Sequence, residues 1–140
     1  MVNVFFEDIE ILDLNPEFFV SWLNELCKQE QNSLGELSLI FCSDEYLLKV
    51  NQDYLQHDYY TDVITFDYSE NDISGDLFIS IERVKENAKK EAVEFIDELH
   101  RVVAHGTLHL LGYKDKSDGE AVLMRKKEEE ALALIVSRET

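Results

Sequence analysis

The sequence predicts an α+β fold, a single domain over residues 1–140 in which a sheet of about four strands carries packed helices. Three observations predict it. Through the first half of the chain, short runs rich in β-branched and aromatic residues alternate with longer amphipathic segments. Two strand-like runs then follow one another with only a polar stretch between them, which suits a hairpin and not a crossover helix. After Ile81 the remaining segments have helical spacing, and no repeat, linker or low-complexity tract divides the chain.

The elements follow in order. "VNVFF" at 2–6 and "ELSLIFC" at 36–42 read as strands from their composition. Between them Asn15 offers a side-chain acceptor to the free N–H groups of a helix start. Pro16 then fills the first helical position at no hydrogen-bond cost, opening a helix to about Gln29. Ser43 caps a second helix whose Leu47, Val50, Asn51 and Tyr54 share a face. "DVITF" (62–66) and "DLFISI" (76–81) are the next strands, joined by "DYSENDISG", with Gly75 and Asp76 read as a turn. "ERVKENAKKEAV" is a charged amphipathic helix, and "FIDELHRVVAHGTLHLLG" is apolar enough to be the central buried one. Ser117 to Glu120 forms a capping box that starts a last helix to about Ser137, and its charge run "RKKEEE" (125–130) reads as a solvated face.

With 45% hydrophobic and 31% charged residues the chain is an ordinary globular one and not disordered. Cys27 and Cys42 sit in apolar surroundings without metal or redox spacing, so they read as reduced core residues of a cytoplasmic protein. The first ten residues lack a basic segment and the longest purely apolar run is the six residues "ALALIV". Neither a signal peptide nor a membrane span is expected. The net charge of −17 repels polyanions at long range and, taken alone, argues against binding driven by phosphate neutralisation.

The chemistry lies in "HGTLHLLGYKD", residues 105–115. Residues four apart advance about 400° on a helix, so His105 and His109 leave one face within about 40° of each other. Gly112 follows where a helix often ends in a left-handed residue, and the chain can there turn a third ligand toward the pair. Lys114 cannot serve as an ammonium and Tyr113 is a poor ligand at neutral pH. Asp115 is the first competent donor and Asp118 the reserve, although Asp118 already serves the helix start beside Ser117. His100 points about 140° away from His105.

These residues resemble the signature of the YbeY family, bacterial rRNA maturation factors and single-strand endoribonucleases, whose motif is HGxLHLxGYDH. "VNQDYLQHDYYTDVITF" (50–66) is similar to that family's LNxxYRxxDxxTDVLSF, and "GDLFIS" (75–80) to its GDIxI. The resemblance covers about half the chain. It implies one zinc ion per chain held by His105, His109 and Asp115, and a single-stranded or ribosomal RNA substrate. It also implies a cleft near Leu55, His57, Thr61 and Asp62. Two departures stand out. The family's third histidine aligns with Asp115, an anionic ligand that weakens the Lewis acid and favours harder ions somewhat. The family's arginine aligns with Leu55, which cannot steady a phosphate, leaving His57 or the backbone to do so.

A metal with three protein ligands and an open position offers an activated water and an electrophilic contact for a phosphoryl oxygen. Direct attack on phosphorus and activation of the ribose 2′-hydroxyl both remain open, and no Glu or His stands beside the pair in sequence to act as base. A zincin peptidase is excluded because HExxH needs glutamate where Gly106 stands. A non-haem iron triad usually sits on barrel strands and not on one helix and its turn. The remaining alternative is a non-catalytic ribosome-assembly factor with a structural metal, its acidic surface suited to basic ribosomal proteins. In either case Arg83, Lys85, Lys89 and Lys90 cluster on one helix as solvated surface or as one wall of an RNA groove.

Overall fold

Parallel and antiparallel pairing meet in one four-stranded sheet. Strand β1 (Val2–Phe6) runs parallel to β2 (Leu34–Cys42), and β4 (Ile73–Ser80) lies parallel on the other side of β2. The edge strand β3 (Val63–Asp67) pairs antiparallel with β4, giving the order β1-β2-β4-β3. The helices are α1 (Pro16–Gln29), α2 (Asp44–Leu55), α3 (Ile81–Glu91), α4 (Phe95–Leu110) and α5 (Asp118–Glu139). This computed structural model describes residues 1–57 and 59–139, with residues 136–139 described in backbone alone. Asp58, within the stretch that carries the second motif, lies outside the described residues.

The expected α+β class and the caps hold. Asn15 Oδ1 accepts from the Glu17 amide at 3.0 Å, and Ser43 Oγ from the Tyr46 amide at 3.1 Å. The hairpin differs from expectation: Gly75 and Asp76 are strand residues, paired with Asp67 and Phe66, and are not a turn. The reason is the glycine itself. A Cβ at Gly75 would stand 2.3 Å from the Phe66 carbonyl oxygen, so only glycine lets the two backbones approach there and β4 starts early. Strand β3 begins at Val63, which leaves Asp62 at its mouth, outside the ladder.

One face of the sheet, carrying Leu37, Leu39, Phe41, Leu77 and Ile79, packs on Phe19, Trp22 and Leu23 of α1 and Leu99, Val103 and Leu108 of α4. Helix α5 adds Met124, Ala131 and Ile135, and the indole of Trp22 donates to the Ala131 carbonyl at 2.9 Å, tying the first helix to the last. A second cluster, Cys42, Leu47, Val50 and Ile64, seats α2. Both cysteines are free and buried, and burial raises their thiols to about 11 for Cys27 and about 12 for Cys42, where they are inert.

Helix α4 lies unusually close to the sheet. A Cβ at Gly106 would fall 2.6 Å from Leu77 Cδ2 and 3.3 Å from Thr65 Cγ2. Glycine at this position lets the helix drop onto β3 and β4, which brings the flanking His105 to the rim of the sheet. Among the described residues no helix is long and apolar enough to cross a membrane.

Candidate metal centre

Helix α4 ends in a Schellman turn. The Tyr113 amide donates to the Leu108 carbonyl and the Gly112 amide to the His109 carbonyl, each at 3.0 Å, around Gly112 at φ +104°. This reversal brings Asp115 back over the helix. His105 Nε2 and His109 Nε2 lie 3.0 Å apart, and Asp115 Oδ2 lies 3.1 Å from the first and 3.4 Å from the second. Asp118 does not join this group, and the caps beside it, Ser117 Oγ to the Glu120 amide and Glu120 Oε1 to the Ser117 amide, are those of a helix start.

The outer nitrogens decide the state of the inner ones. The Tyr113 carbonyl can only accept, so His109 Nδ1, 2.9 Å away, is the donor and a neutral His109 presents a bare Nε2. Glu128 Oε2 stands 2.7 Å from His105 Nδ1 and fixes that tautomer in the same way. With both rings neutral, three electron pairs therefore converge. Tetrahedral ligands about 2.0–2.1 Å from one ion are about 3.3 Å apart, and this triangle matches that spacing with one position open. The surroundings also attract positive charge. Burial opposes a charge on His105, but the hydrogen bond and charge of Glu128, with Asp62 and Asp115, outweigh it and raise the imidazole's pKa.

Glu128 is the residue that sequence reading misassigns. The run 125–130 was expected to be solvated, yet Glu128 is 5% exposed and is held by Arg101 Nη1 at 3.2 Å as well as by His105. Arg125, Lys126, Glu129 and Glu130 do face solvent, while Lys127 is half-buried against Glu30. The signal was periodicity: Met124, Glu128, Ala131 and Ile135 are the buried stripe of α5, and Glu128 is the one charged residue on it. A carboxylate does therefore stand beside the histidine pair, supplied from 23 residues away. It is engaged as an orienting group and not free as a base.

A cleft of about 370 Å³ opens over the triad between α4 and β3. Leu55, His57, Thr61 and Asp62 all line it, with Asn51 and Tyr59 beside them. Leu55 ends α2 and is 39% exposed, an aliphatic side chain on a polar wall. The His57 ring stacks on Tyr59, and its Nδ1 lies 3.0 Å from the Tyr59 hydroxyl. Buried Asn51 donates to the Tyr59 carbonyl and so fastens this loop to α2. Asp62 accepts from Asn87 at 3.2 Å. His100 is elsewhere, packed against Phe18 and Trp22, and burial lowers its pKa.

The family profile described as Endoribonuclease YbeY matches residues 6–136. An Endoribonuclease YbeY of Flavobacterium johnsoniae is 52% identical over 135 residues, covering 96% of each chain, and one of Cytophaga hutchinsonii is 59% identical over 116 residues, 81% of each. A Thermotoga maritima protein solved in solution superposes with a TM-score of 0.70 at 27% identity, over 99% of this chain and 91% of its own.

Proposed function

This chain belongs to the YbeY family of endoribonucleases, and we propose that it cleaves single-stranded RNA, ribosomal RNA precursors above all, with one zinc ion held by His105, His109 and Asp115. The observation that carries this reading is the triangle of three ligand-type atoms at 3.0–3.4 Å in the floor of an open cleft. The enzyme is a hydrolase of the cytoplasm in this reading, and its acidic exterior suits a basic ribosomal protein as docking partner.

When bound, zinc supplies a Lewis acid for a phosphoryl oxygen and a source of nucleophile at neutral pH. The protein's own part is orientation and charge. Glu128 and the Tyr113 carbonyl hold the two imidazoles, when neutral, in the tautomer that presents Nε2 to the ion. Asp115 offsets part of the ion's charge. Thr61, Asp62 and His57, on the opposite wall, face whatever strand occupies the cleft, with Tyr59 offering a ring for stacking.

The test is cleavage of rRNA precursors by purified, zinc-loaded protein. Wild type should cut, and His105→Ala should lose both zinc, read by elemental analysis, and cleavage while keeping its circular dichroism. A 2′,3′-cyclic phosphate at the product end assigns attack to the ribose hydroxyl, and its absence assigns direct hydrolysis. A folded, zinc-loaded wild type that leaves every precursor intact would favour the non-catalytic assembly factor instead.

A further inference from the structure

Asp62 and His105 form a rim between two compartments. On one side is the metal cleft, whose lining contains no lysine or arginine among the described residues. On the other is a cavity of about 310 Å³ between α3, α4 and α5, lined by Lys90, Arg101 and Arg125 together with Asn87 and four carboxylates, Asp62, Glu91, Glu98 and Glu128. A polyanion lying across the triad meets no cationic side chain among the described residues of the first compartment, and meets cations interleaved with carboxylates in the second.

The three cations are not equivalent. Arg101 is committed: its guanidinium reaches Glu129 at 2.7 Å, Glu128 at 3.2 Å and Glu98 at 3.8 Å, and its side chain is only 16% exposed. Arg125 is held loosely, at 3.6–3.8 Å from Glu91, Glu128 and Glu129, with its side chain 51% exposed. Lys90 is exposed on α3. Of the other cations on that helix, Arg83 is paired with Asp44 at 2.9 Å and Lys85 lines a separate cavity beside Asp8 and Glu82. The carboxylates divide in the same way. Glu98 and Glu128 are buried and turned to Arg101 and His105, and Asp62 is engaged by Asn87, so Glu91, with the exposed Glu129 outside the cavity, is what an incoming anion displaces from Arg125.

We infer that Lys90 and Arg125 hold a backbone phosphate next to the cleaved linkage, so that the RNA strand crosses the Asp62–His105 rim from the metal cleft into the second cavity. This rests on the endoribonuclease reading and adds the strand's path to it. It also accounts for Leu55: the wall of the metal cleft can be apolar because the neighbouring phosphate is gripped across the rim. An exposed lysine and a loosely paired, exposed arginine can turn to a phosphate without stripping a buried carboxylate of its main partner, which Arg101 could not do.

The experiment measures single-stranded RNA cleavage by the zinc-loaded protein, and salt-dependent binding of a labelled single-stranded oligoribonucleotide by fluorescence anisotropy in a His109→Ala background, which removes cutting. Lys90→Ala and Arg125→Ala should each raise KM several-fold with kcat nearly unchanged. Each should also flatten the plot of log affinity against log salt by about 0.7, the contribution of one single-strand phosphate contact. Arg125→Lys should keep the slope, and Lys28→Ala, an exposed cation that lines neither compartment, serves as control. If Lys90→Ala and Arg125→Ala behave like Lys28→Ala while wild type still cleaves, the strand path is overturned and the nuclease stands. Binding lost in both variants of a protein that never cuts keeps the path and overturns the nuclease. Wild type that does not bind the strand at all overturns the path.

Discussion

His105 and His109 stand one helical turn apart on the same face, yet they are held by opposite means. His109 is positioned locally: its Nδ1 donates to the carbonyl of Tyr113, four residues on, within the turn that ends its own helix. His105 is positioned from a distance, by the buried carboxylate of Glu128 on α5, itself braced by Arg101. One imidazole thus leans on a backbone dipole that no substitution removes directly. The other leans on a charge that a single mutation deletes. The difference teaches where the site is vulnerable, and it predicts unequal responses to damage on the two sides.

The largest response should come from Glu128→Ala. It frees His105 Nδ1, leaves the buried Arg101 short of a partner, and should lower zinc affinity by about 10–100-fold and stability by about 3–5 kcal/mol. Glu128→Gln keeps an acceptor for Nδ1 and should recover part of the affinity while leaving Arg101 undercompensated. Competition with a chelator and urea unfolding read the two effects separately. Unchanged zinc affinity in Glu128→Ala would break the comparison, since His105 would then need no distant support.

On the local side, Gly112→Ala is the corresponding perturbation. At φ +104° an L side chain is strained although nothing stands within 4 Å of its Cβ, so the cost is conformational and should be about 1–2 kcal/mol. Zinc affinity should fall too, because the same turn sets the Tyr113 carbonyl on His109 and carries Asp115 to the triad. Gly119→Ala is the matched control, an open site inside α5 without positive φ, where alanine should stabilise by about 0.4–1 kcal/mol. A Gly112→Ala protein as stable as wild type would mean that the turn relaxes without strain.

The same contrast separates what could be read in the sequence from what could not. The histidine spacing, the helix stop at Gly112 and the returning Asp115 are all encoded within eleven residues, so geometry of one helix and one turn suffices to assemble them. Leu55, His57, Thr61 and Asp62 were placed near the cleft by motif resemblance, and the fold does line one cavity with them. Glu128 is not legible in the sequence because a charged block on a long helix is normally solvated, and only the packing of α5 against α4 turns that one position inward. Gly75 misleads for a related reason: glycine signals a turn locally, whereas here the demand comes from the Phe66 carbonyl on the neighbouring strand. Interactions closed over a few residues are legible, and those that depend on which helix meets which are not.

The smallest effect, and the sharpest test of the local side, is Tyr113→Phe. The Tyr113 hydroxyl donates to Glu30 of the segment after α1, and Lys127 of α5 bonds the same carboxylate at 3.0 Å. Burial pushes the Glu30 carboxyl up, but the hydrogen bonds from Tyr113 and Lys127 and the lysine's charge outweigh it and hold the pKa below the ordinary carboxylate range. A carboxylate with a lowered folded pKa stabilises the protein above its unfolded pKa. That contribution is lost as pH falls through the ordinary range toward the folded value. Removing the hydroxyl should therefore cost about 1 kcal/mol near neutral pH, and the wild-type and variant stability curves should converge in acid, as chemical denaturation at a series of pH values would show. Zinc affinity should not change, because phenylalanine keeps the backbone carbonyl that His109 uses. A Tyr113→Phe protein that loses zinc while keeping its fold would show that the side chain, through Glu30 and Lys127, sets the carbonyl's position, and that His109 too depends on distant support.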